Sequence, residues 1–151
     1  MIPPSIVELL QTGVSVVVGT RDAALMPECT RAWGIQVGKD RASVTIFLTE
    51  AISQQTLRNL KDNGRIAVSC TRPTDHVACQ VKGIVRKIRS ATKREAEHSR
   101  VWHREFAGEL VAIGVPAALC EAWITEPALA VEIDVTEVYH QTPGPGTGER
   151  V

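Results

Sequence analysis

The stretch that decides the fold is Ser43–Arg65, which reads SVTIFLTEAISQQTLRNLKDNGR. Its first half predicts a β-strand, because the side chains of Val44–Leu48 alternate between two unlike faces, as in an extended chain. A helix is predicted to follow, with Ser53 as its N-cap and Gly64 as the residue past its end that takes a positive φ. The stretch therefore predicts a strand that feeds directly into a helix.

The junction between this strand and this helix is the first candidate site. The start of a helix leaves backbone N–H groups unpaired, and here they lie among hydroxyl and amide side chains, an arrangement suited to an anion such as a phosphate. Ordinary capping by Ser53 explains the same residues without any ligand. The candidate residues are Thr49, Glu50, Ser53, Gln54, Gln55 and Thr56.

Composition narrows the class of protein. A chain of 151 residues is expected to form one domain, and its 44% apolar and 23% charged residues are ordinary for a globular protein. The formal net charge is zero, so no nucleic-acid partner is indicated. No apolar run is long enough to span a membrane, and the Met-Ile-Pro-Pro start does not resemble a signal peptide. These features favour a cytoplasmic protein without a membrane partner.

Five further segments show the composition of strands, and turns of hairpin length connect most of them. Six strands with a single early helix favour mainly antiparallel pairing, and hence a closed or split barrel with flanking helices rather than a doubly wound sheet. The five segments are Val14–Thr20, Glu28–Val37, Arg65–Thr71, Ala78–Ile88 and Ala128–Thr136.

The remaining segments are predicted to be helical or irregular. A short helix is expected behind Pro3-Pro4 and is followed by Gly13, a longer one over residues 92–110, and a short helical piece over 111–123. Residues 1–140 are expected to form a single domain. The Pro/Gly-rich segment 141–151 is expected to be a C-terminal arm, either loose or lying as an extended segment over a neighbour.

Two cationic residues on predicted strands are further candidates. Arg31 would supply a bidentate contact to a phosphate if its strand passes beside the helix start. Lys82 precedes Gly83, which would allow close backbone approach, and could face the polar edge of a ring. For both residues a solvent-facing side chain is the simpler alternative.

Other residue types point away from metal, disulfide and covalent chemistry. The four cysteines form no C-x-x-C pair and are expected to be reduced, buried thiols. The histidines are scattered, so no metal site is predicted. No hydrolase or P-loop pattern is present, and no acid–base pair stands out. Trp102 and Phe106 are expected to belong to the core, whereas Trp123 is expected either to cap a pocket or to pack between subunits.

The order of these parts resembles the pyridoxamine 5′-phosphate oxidase-like, FMN-binding split-barrel family over nearly the whole chain. The resemblance rests on the strand with Arg31, on Asn59-Leu60, and on Asn63-Gly64-Arg65, which matches the family's Asn-Pro-Arg. It also rests on four segments that read TIFLTE, SQQTLRNLKDNGRIAV, CQVKGIVRKI and LAVEIDVTEVYHQTPGPG.

The resemblance implies a six-stranded antiparallel split barrel that binds FMN between the two subunits of a homodimer. Thr56 stands where the family usually has a lysine, so one cation near the phosphate is missing, and Gln54 stands at the aligned serine. The positions that correspond to flavin contacts are Arg31, Thr49, Ser53, Gln54, Gln55, Thr56 and Lys82.

The function implied is that of a flavin-dependent oxidoreductase acting on a small molecule. The chain lacks the C-terminal Trp and Arg-Leu segment of the true pyridoxamine phosphate oxidases, so that reaction is not expected. The alternatives are a flavin- or haem-binding protein without turnover, a deazaflavin-dependent reductase, and a family member that has lost its cofactor and retains only dimerisation.

Overall fold

The computed structural model describes residues 1–123 and 127–151 and contains one antiparallel sheet with four α-helices among them. The helices are α1 (Pro4–Leu10), α2 (Gln54–Asn63), α3 (Lys93–Ala112) and α4 (Ala117–Glu121). The strands are β1 (Ser15–Arg21), β2 (Pro27–Ala32), β3 (Ile35–Val37), β4 (Ser43–Leu48), β5 (Arg65–Thr71), β6 (Ala78–Ser90) and β7 (Leu129–His140).

The sheet is a curled half-barrel with the order β2-β1-β5-β6-β7-β4-β3. Consecutive strands β2 and β3 thus lie at opposite ends of the sheet, although only two residues separate them. The chain passes between the ends at Trp33 and Gly34, where the Trp33 N–H donates to the Phe47 carbonyl at 2.8 Å. This bond brings the two sheet ends together and confirms the predicted split-barrel class.

The seventh strand arises from a break that the sequence prediction did not contain. The predicted strand Glu28–Val37 is interrupted at Gly34, whose φ of 130° places it outside the extended region. A Cβ at this position would also lie 3.1 Å from the Phe47 ring. Gly34 therefore divides the predicted strand into β2 and β3, and six predicted strands become seven.

The barrel core is formed by the inward side of each strand. Inward residues alternate with outward ones, since successive side chains of a strand point to opposite faces. Phe47 adds a second buried position beside Ile46, so the alternation predicted for β4 ends there. The fully buried inward residues include Val16, Val18, Val44, Ile46, Leu48, Val68, Val81 and Ile133.

Helix α2 covers one end of the barrel and follows the predicted strand directly. It ends at Gly64, whose φ of 67° confirms the predicted helix terminus. The Asn59 amide donates to the Thr20 hydroxyl at 3.0 Å, and the Asn63 amide donates to the Arg21 carbonyl at 2.9 Å. These two amides fix α2 against the end of β1.

Helix α3 begins at a capping box formed by Thr92 and Glu95 and extends beyond the predicted 92–110. Trp102 and Phe106 are 3% and 2% exposed, which confirms the prediction that both belong to the core. The predicted helical piece 111–123 is shorter than expected, because only Ala117–Glu121 forms a separate helix. Residues 124–126 lie outside the described part of the chain.

Gly13 allows the close approach of α3 to the barrel. A Cβ on Gly13 would overlap the backbone of Glu105 and Phe106. The glycine that the sequence analysis placed after the first helix therefore has a packing role between that helix and α3.

The end of the chain folds back on its own sheet. Strand β7 runs to His140, four residues past its predicted end at Thr136, and segment 141–151 returns along it. The Val151 N–H donates to the Val138 carbonyl at 2.9 Å, and Tyr139 pairs with Arg150. Within this chain, segment 141–151 therefore contacts its own strand β7.

The cysteine prediction is correct for three of the four thiols. Cys70, Cys79 and Cys120 are buried and free, whereas Cys29 is free but exposed, because it lies on the outward side of the edge strand β2. In the described ranges, no helix is long and apolar enough to cross a membrane, and no three His, Cys, Asp or Glu residues are grouped to hold a metal ion.

Candidate functional site

The outward side of strands β2, β1, β5, β6 and β7 is the part of the sheet that concentrates hydrogen-bonding side chains. The strand registers place these side chains in two adjacent rows, which we call the outer face. One row consists of Arg31, Val17, Ser69, Gln80 and Tyr139, and the other of Cys29, Gly19, Ala67, Lys82 and Glu137.

Arg31 lies at one end of the outer face, half-buried beside α3. Its guanidinium donates to the Ser15 hydroxyl at 3.0 Å and lies 5.5 Å from the centre of the Phe106 ring. Within residues 1–123 and 127–151, no carboxylate forms an ion pair with it. Burial lowers the pKa of Arg31 from its ordinary value. An arginine that is partly desolvated and lacks a carboxylate is suited to receive an anion.

Gln80 and Ser69 lie next to each other in the row that begins with Arg31. The Gln80 amide donates to the Ser69 hydroxyl at 3.0 Å, which leaves the amide oxygen available as an acceptor. The sequence analysis quoted Gln80 only within the segment CQVKGIVRKI and did not identify Ser69. The period-2 pattern of RIAVSCT places Ser69 outward, but the pairing with Gln80 depends on a register that the sequence does not specify.

Lys82 lies on the outer face, far from the start of α2. Its ammonium group is 4.7 Å from the centre of the Tyr139 ring, and the strand register places Glu137 opposite it. The Tyr139 hydroxyl donates to the Glu137 carboxylate. This hydrogen bond, together with the charges of Arg150 and Lys82, lowers the pKa of Glu137.

The first turn of α2 differs from the expected anion site. Ser53 occupies the N-cap position, but its side chain makes no capping bond, so the predicted capping role is wrong. The hydroxyls of Ser53 and Thr56 are both fully buried and have no hydrogen-bond partner in the described part of the chain. They point into the protein, because this turn packs over the end of the barrel.

The amide and acidic residues of this junction remain at the surface. Gln54 donates its side-chain N–H to the Glu50 carbonyl at 3.1 Å. Gln55 donates to Asn59 at 2.8 Å and accepts from the Arg58 guanidinium at 2.6 Å. Thr49 ends the strand and is half-buried. Each of these amide side chains already has a partner within the helix or its first turn.

The predicted site residues therefore fall into three separate places. Thr49, Glu50 and Ser53–Thr56 surround the start of α2, Arg31 faces α3, and Lys82 lies at the opposite side of the outer face. The Thr30 hydroxyl donates to the Ile52 carbonyl at 3.4 Å and joins β2 to the α2 junction. Arg31 is the next residue along and points to the other face of the strand, away from that junction.

An aromatic cluster flanks Arg31 on the α3 side. The Trp33 ring lies 6.2 Å from His103 and 6.0 Å from Trp123, and Trp123 stacks on Phe106 at 6.1 Å. The ring nitrogens Trp33 Nε1 and His103 Nε2 are buried and find no hydrogen-bond partner among residues 1–123 and 127–151. Within the single chain, Trp123 packs into this cluster, and the cluster forms the wall beside Arg31.

The fold has solved counterparts, although the sequence matches no protein-family model and no curated protein. An F420 reductase is 15% identical with a TM-score of 0.60 and covers 91% of this chain and 98% of its own. A candidate pyridoxamine 5′-phosphate oxidase from Lactobacillus delbrueckii is 15% identical with a TM-score of 0.58. The match covers 91% of this chain and 93% of that protein.

An FMN-binding protein from Syntrophomonas wolfei is also similar in structure. It is 10% identical with a TM-score of 0.54, and the match covers 87% of this chain and 80% of that protein. At these identities the likeness concerns the backbone. The chain has the split-barrel fold of the pyridoxamine 5′-phosphate oxidase-like proteins.

Proposed function

We propose that this protein binds a flavin, with FMN the first choice, and acts as a flavin-dependent oxidoreductase on a small molecule. The similarity in fold to an FMN-binding protein and to an F420 reductase supports a flavin or deazaflavin ligand. The observation that carries the proposal is Arg31, a half-buried guanidinium that has no carboxylate partner in the described ranges and opens onto the outer face.

The residues of the outer face fit a flavin better than those of the α2 junction. Arg31 would bind an anionic group, and Gln80 with Ser69 would exchange hydrogen bonds with the polar edge of a ring. Thr56 supplies no positive charge, and its buried hydroxyl points away from any surface ligand.

The α2 junction retains a secondary part in this proposal. Gln54, Gln55 and Glu50 are near the surface at the helix start, where the helix dipole favours an anion. Arg58 is the nearest cation in sequence, and it is held on Gln55 at 2.6 Å. We assign the principal cofactor contacts to Arg31, and the α2 junction is a separate, weaker anion site.

When bound, a flavin supplies the redox chemistry through its ring. The role of the chain is then to hold that ring, to orient a substrate against it and to exclude water. Phe106, Trp123 and Trp33 provide the apolar wall beside Arg31 that would exclude water on one side. Such a site needs no acid–base pair from the protein, which agrees with the absence of one in the sequence analysis.

We also propose that the protein is a homodimer with the cofactor at the subunit interface. The residues of the two outer-face rows are half-buried or exposed, and small side chains keep the centre of the face shallow. A second copy placed on this face would enclose a ligand that a single shallow face leaves open to water. Light scattering of the purified protein tests this proposal, and a monomer with bound flavin would overturn it.

The cofactor is tested by titrating the purified protein with FMN, riboflavin, a deazaflavin and haem, each followed by absorbance and by thermal unfolding. A ligand that binds the native state must raise the melting temperature. FMN is expected to do so, and a deazaflavin is the second candidate because of the likeness to the F420 reductase. If neither FMN nor a deazaflavin stabilises the protein, the proposal fails, and stabilisation by haem alone would replace it with haem binding.

Two matched variants locate the cofactor. Arg31→Ala is expected to weaken FMN binding by about 1–3 kcal/mol, the range for a hydrogen bond to a charged group. Arg86→Ala removes an arginine whose guanidinium is already held by Asp134 and Glu132, and is expected to leave binding unchanged. Equal effects of the two substitutions would remove Arg31 from the site.

A further inference from the structure

The end of the outer face opposite Arg31 contains a groove that none of the flavin contacts above occupies. It has a volume of about 430 Å³ and lies over the end of β1, the start of β5 and the middle of β6. Arg21, Arg65 and Lys82 line it, each from a different one of these strands. We call these three residues and the space between them the cation groove.

The floor of the groove is formed by residues with little or no side chain. Gly19 and Ala67 lie opposite each other on β1 and β5, and Lys82 is the next residue in the same row. A Cβ on Gly19 would meet nothing closer than the Ala67 carbonyl oxygen at 3.9 Å. The floor is therefore open, and the long side chains of the three cations rise around it.

The charges of the groove are not balanced by the protein. Arg21 donates only to the neighbouring Asp22 carbonyl, and Lys82 lies over the Tyr139 ring. Among the described residues, no carboxylate lies within 4.0 Å of Arg21, Arg65 or Lys82. Glu137 is the one acidic residue that lines the groove, so three positive charges and one negative charge leave a net charge of +2.

Four other arginines of the described chain show the opposite arrangement, because a carboxylate neutralises each of them. Arg72, Arg86, Arg89 and Arg100 each form an ion pair with a carboxylate at 2.6–3.4 Å. The whole chain has a formal net charge of zero. A concave site with two uncompensated positive charges in a neutral protein concentrates the electrostatic potential and attracts anions.

We propose that the cation groove binds the phosphate dianion of a phosphorylated small molecule. Two arginines offer planar, forked donors that match phosphate oxygens, and Lys82 adds a point charge. Ile84 lines the same groove and Tyr139 stands beside Lys82, which gives the organic part of the ligand an apolar edge to contact. The volume of about 430 Å³ lies within the range of small-molecule sites.

This site is separate from the flavin contacts assigned to Arg31. Arg31 and Lys82 are three strands apart, and neighbouring strands are spaced about 4.8 Å, so ~14 Å of sheet lies between their strands. The groove does not need the flavin proposal to be correct. The phosphate has two possible sources, a phosphorylated substrate or the flavin's own phosphate, and the experiment below separates them.

The first experiment titrates the full chain with inorganic phosphate at constant ionic strength, followed by NMR of the backbone amides. Saturable shifts are expected at Gly19, Ala67 and Gly83. Arg65→Gln combined with Lys82→Gln is expected to weaken binding by on the order of tenfold or more, because two charge-assisted contacts are lost. Lys61→Gln, which removes an exposed cation of α2, is the control and is expected to bind as the wild type does.

Three results would overturn the proposal. They are shifts that do not saturate, a Lys61→Gln variant that weakens binding as much as the double variant does, and shifts centred on the α2 junction. Arg65 is exposed, so Arg65→Gln alone is expected to fold normally and to show a smaller loss of the same kind. If the groove instead contacts a second copy, phosphate will not bind and the double variant will change the oligomeric state.

The second experiment compares FMN with riboflavin, which lacks the phosphate. If the flavin phosphate occupies the groove, Arg65→Gln weakens FMN binding but not riboflavin binding. If a separate substrate occupies it, inorganic phosphate binds equally well to the protein saturated with FMN. Phosphate binding without any flavin binding would reject the proposed function and leave the groove proposal intact.

Discussion

Strands β6 and β7 carry two groups of charged residues that use the same residue types in opposite ways. Near the middle of β6, Lys82 helps to form the cation groove, where positive charges have no carboxylate partners. A few residues further along, Arg86 and Arg89 share Glu132, and Arg89 also binds Glu95 at 2.7 Å. We call this second group the ion-pair network; Asp134, which pairs with Arg86, completes it.

The comparison teaches that carboxylate placement decides the role of an arginine. In the network, the charge-assisted hydrogen bonds that Arg89 donates to Glu95 and Glu132 raise the pKa of Arg89 and lower the pKa of both carboxyl groups. The ion pair between Arg89 and Glu95 holds the start of α3 on the sheet. In the groove, similar cations face open space, and the charge remains available for a ligand.

The two groups are kept apart by an irregularity in the pairing of β6 and β7. The register shifts at Lys82/Gly83 and again at Val85/Lys87. Gly83 stands at the first shift, and a Cβ there would overlap the carbonyl oxygen of Asp134. The close backbone approach that the sequence analysis attributed to Gly83 is thus an approach to a strand of the same sheet.

The largest effect is expected from Gly83→Ala, because the added methyl group must displace β7. We expect the free energy of unfolding to fall by about 2–3 kcal/mol, near the upper end for overpacked positions. Urea unfolding measures this loss. Gly108→Ala is the matched control: no atom lies within 4 Å of a Cβ on this helical glycine, and the change is expected to stabilise by about 0.5–1 kcal/mol. A stable Gly83→Ala protein would contradict the close approach of the two strands.

The next effect tests whether a carboxylate alone distinguishes the two groups. Ala67→Glu places an acidic side chain on the floor of the groove, next to Lys82 in the strand register. Phosphate affinity is expected to fall about tenfold, or ~1.4 kcal/mol, because the new carboxylate neutralises the cations. Ala67→Gln has the same size without the charge. If both variants lose affinity equally, steric blocking rather than charge explains the result.

Much of the fold could be predicted because it depends on local pattern. The stretch Ser43–Arg65 contains its own strand alternation and terminal glycine, and the structure reproduces the alternation as far as Ile46 and the helix end at Gly64. The division of the second strand at Gly34 could not be predicted, since it depends on Phe47 packing from a distant strand. The extension of β7 to His140 depends on pairing with β6 in the same way.

The candidate site was less predictable, for a related reason. Arg31 and Lys82 were identified as cations on strands, but the partners that distinguish them from Arg86 come from other strands. Arg21 and Arg65 were not candidate site residues, because each stands at a strand end, where charged residues are common. Ser53 and Thr56 have the residue types of an anion site, and only packing shows that their hydroxyls are buried. The grouping of these residues could therefore not be predicted, because it depends on register and on burial.

A smaller effect is expected when the network is tested by acid. Arg89 lowers the pKa of Glu95 to about 2, compared with an ordinary value of 4.5. A carboxyl group whose pKa is lower in the folded than in the unfolded chain stabilises the fold at pH values above the unfolded-state pKa. This contribution is lost as the pH falls from about 5 to 2. Because Glu95 and Arg89 are partly solvated, we expect about 1 kcal/mol rather than the full shift. Unfolding in urea across this pH range measures the loss.

Glu95→Gln isolates the charge, because glutamine still completes the capping box with Thr92. The variant is expected to lose stability near neutral pH and to show a weaker acid dependence than the wild type. Glu97→Gln, which affects an exposed pair with Arg100, should follow the wild-type curve. A Glu95→Gln protein with unchanged acid dependence would show that other carboxyl groups control it.

The smallest effect concerns the exposed edge of the network. The Arg86 side chain is 52% exposed, and its pairs with Asp134 and Glu132 are 3.1 and 3.4 Å long. Arg86→Gln is therefore expected to lower the free energy of unfolding by only about 0.5 kcal/mol. In 1 M salt, where the Debye length is about 3 Å, no measurable loss is expected. Arg89→Gln should lower the free energy of unfolding at high salt as well, since the Arg89 side chain is 28% exposed and the Glu95 side chain is 12% exposed. If high salt abolished the loss of stability in both variants, the whole network would be a surface feature that salt screens. Burial rather than carboxylate placement would then have to explain how the network differs from the groove.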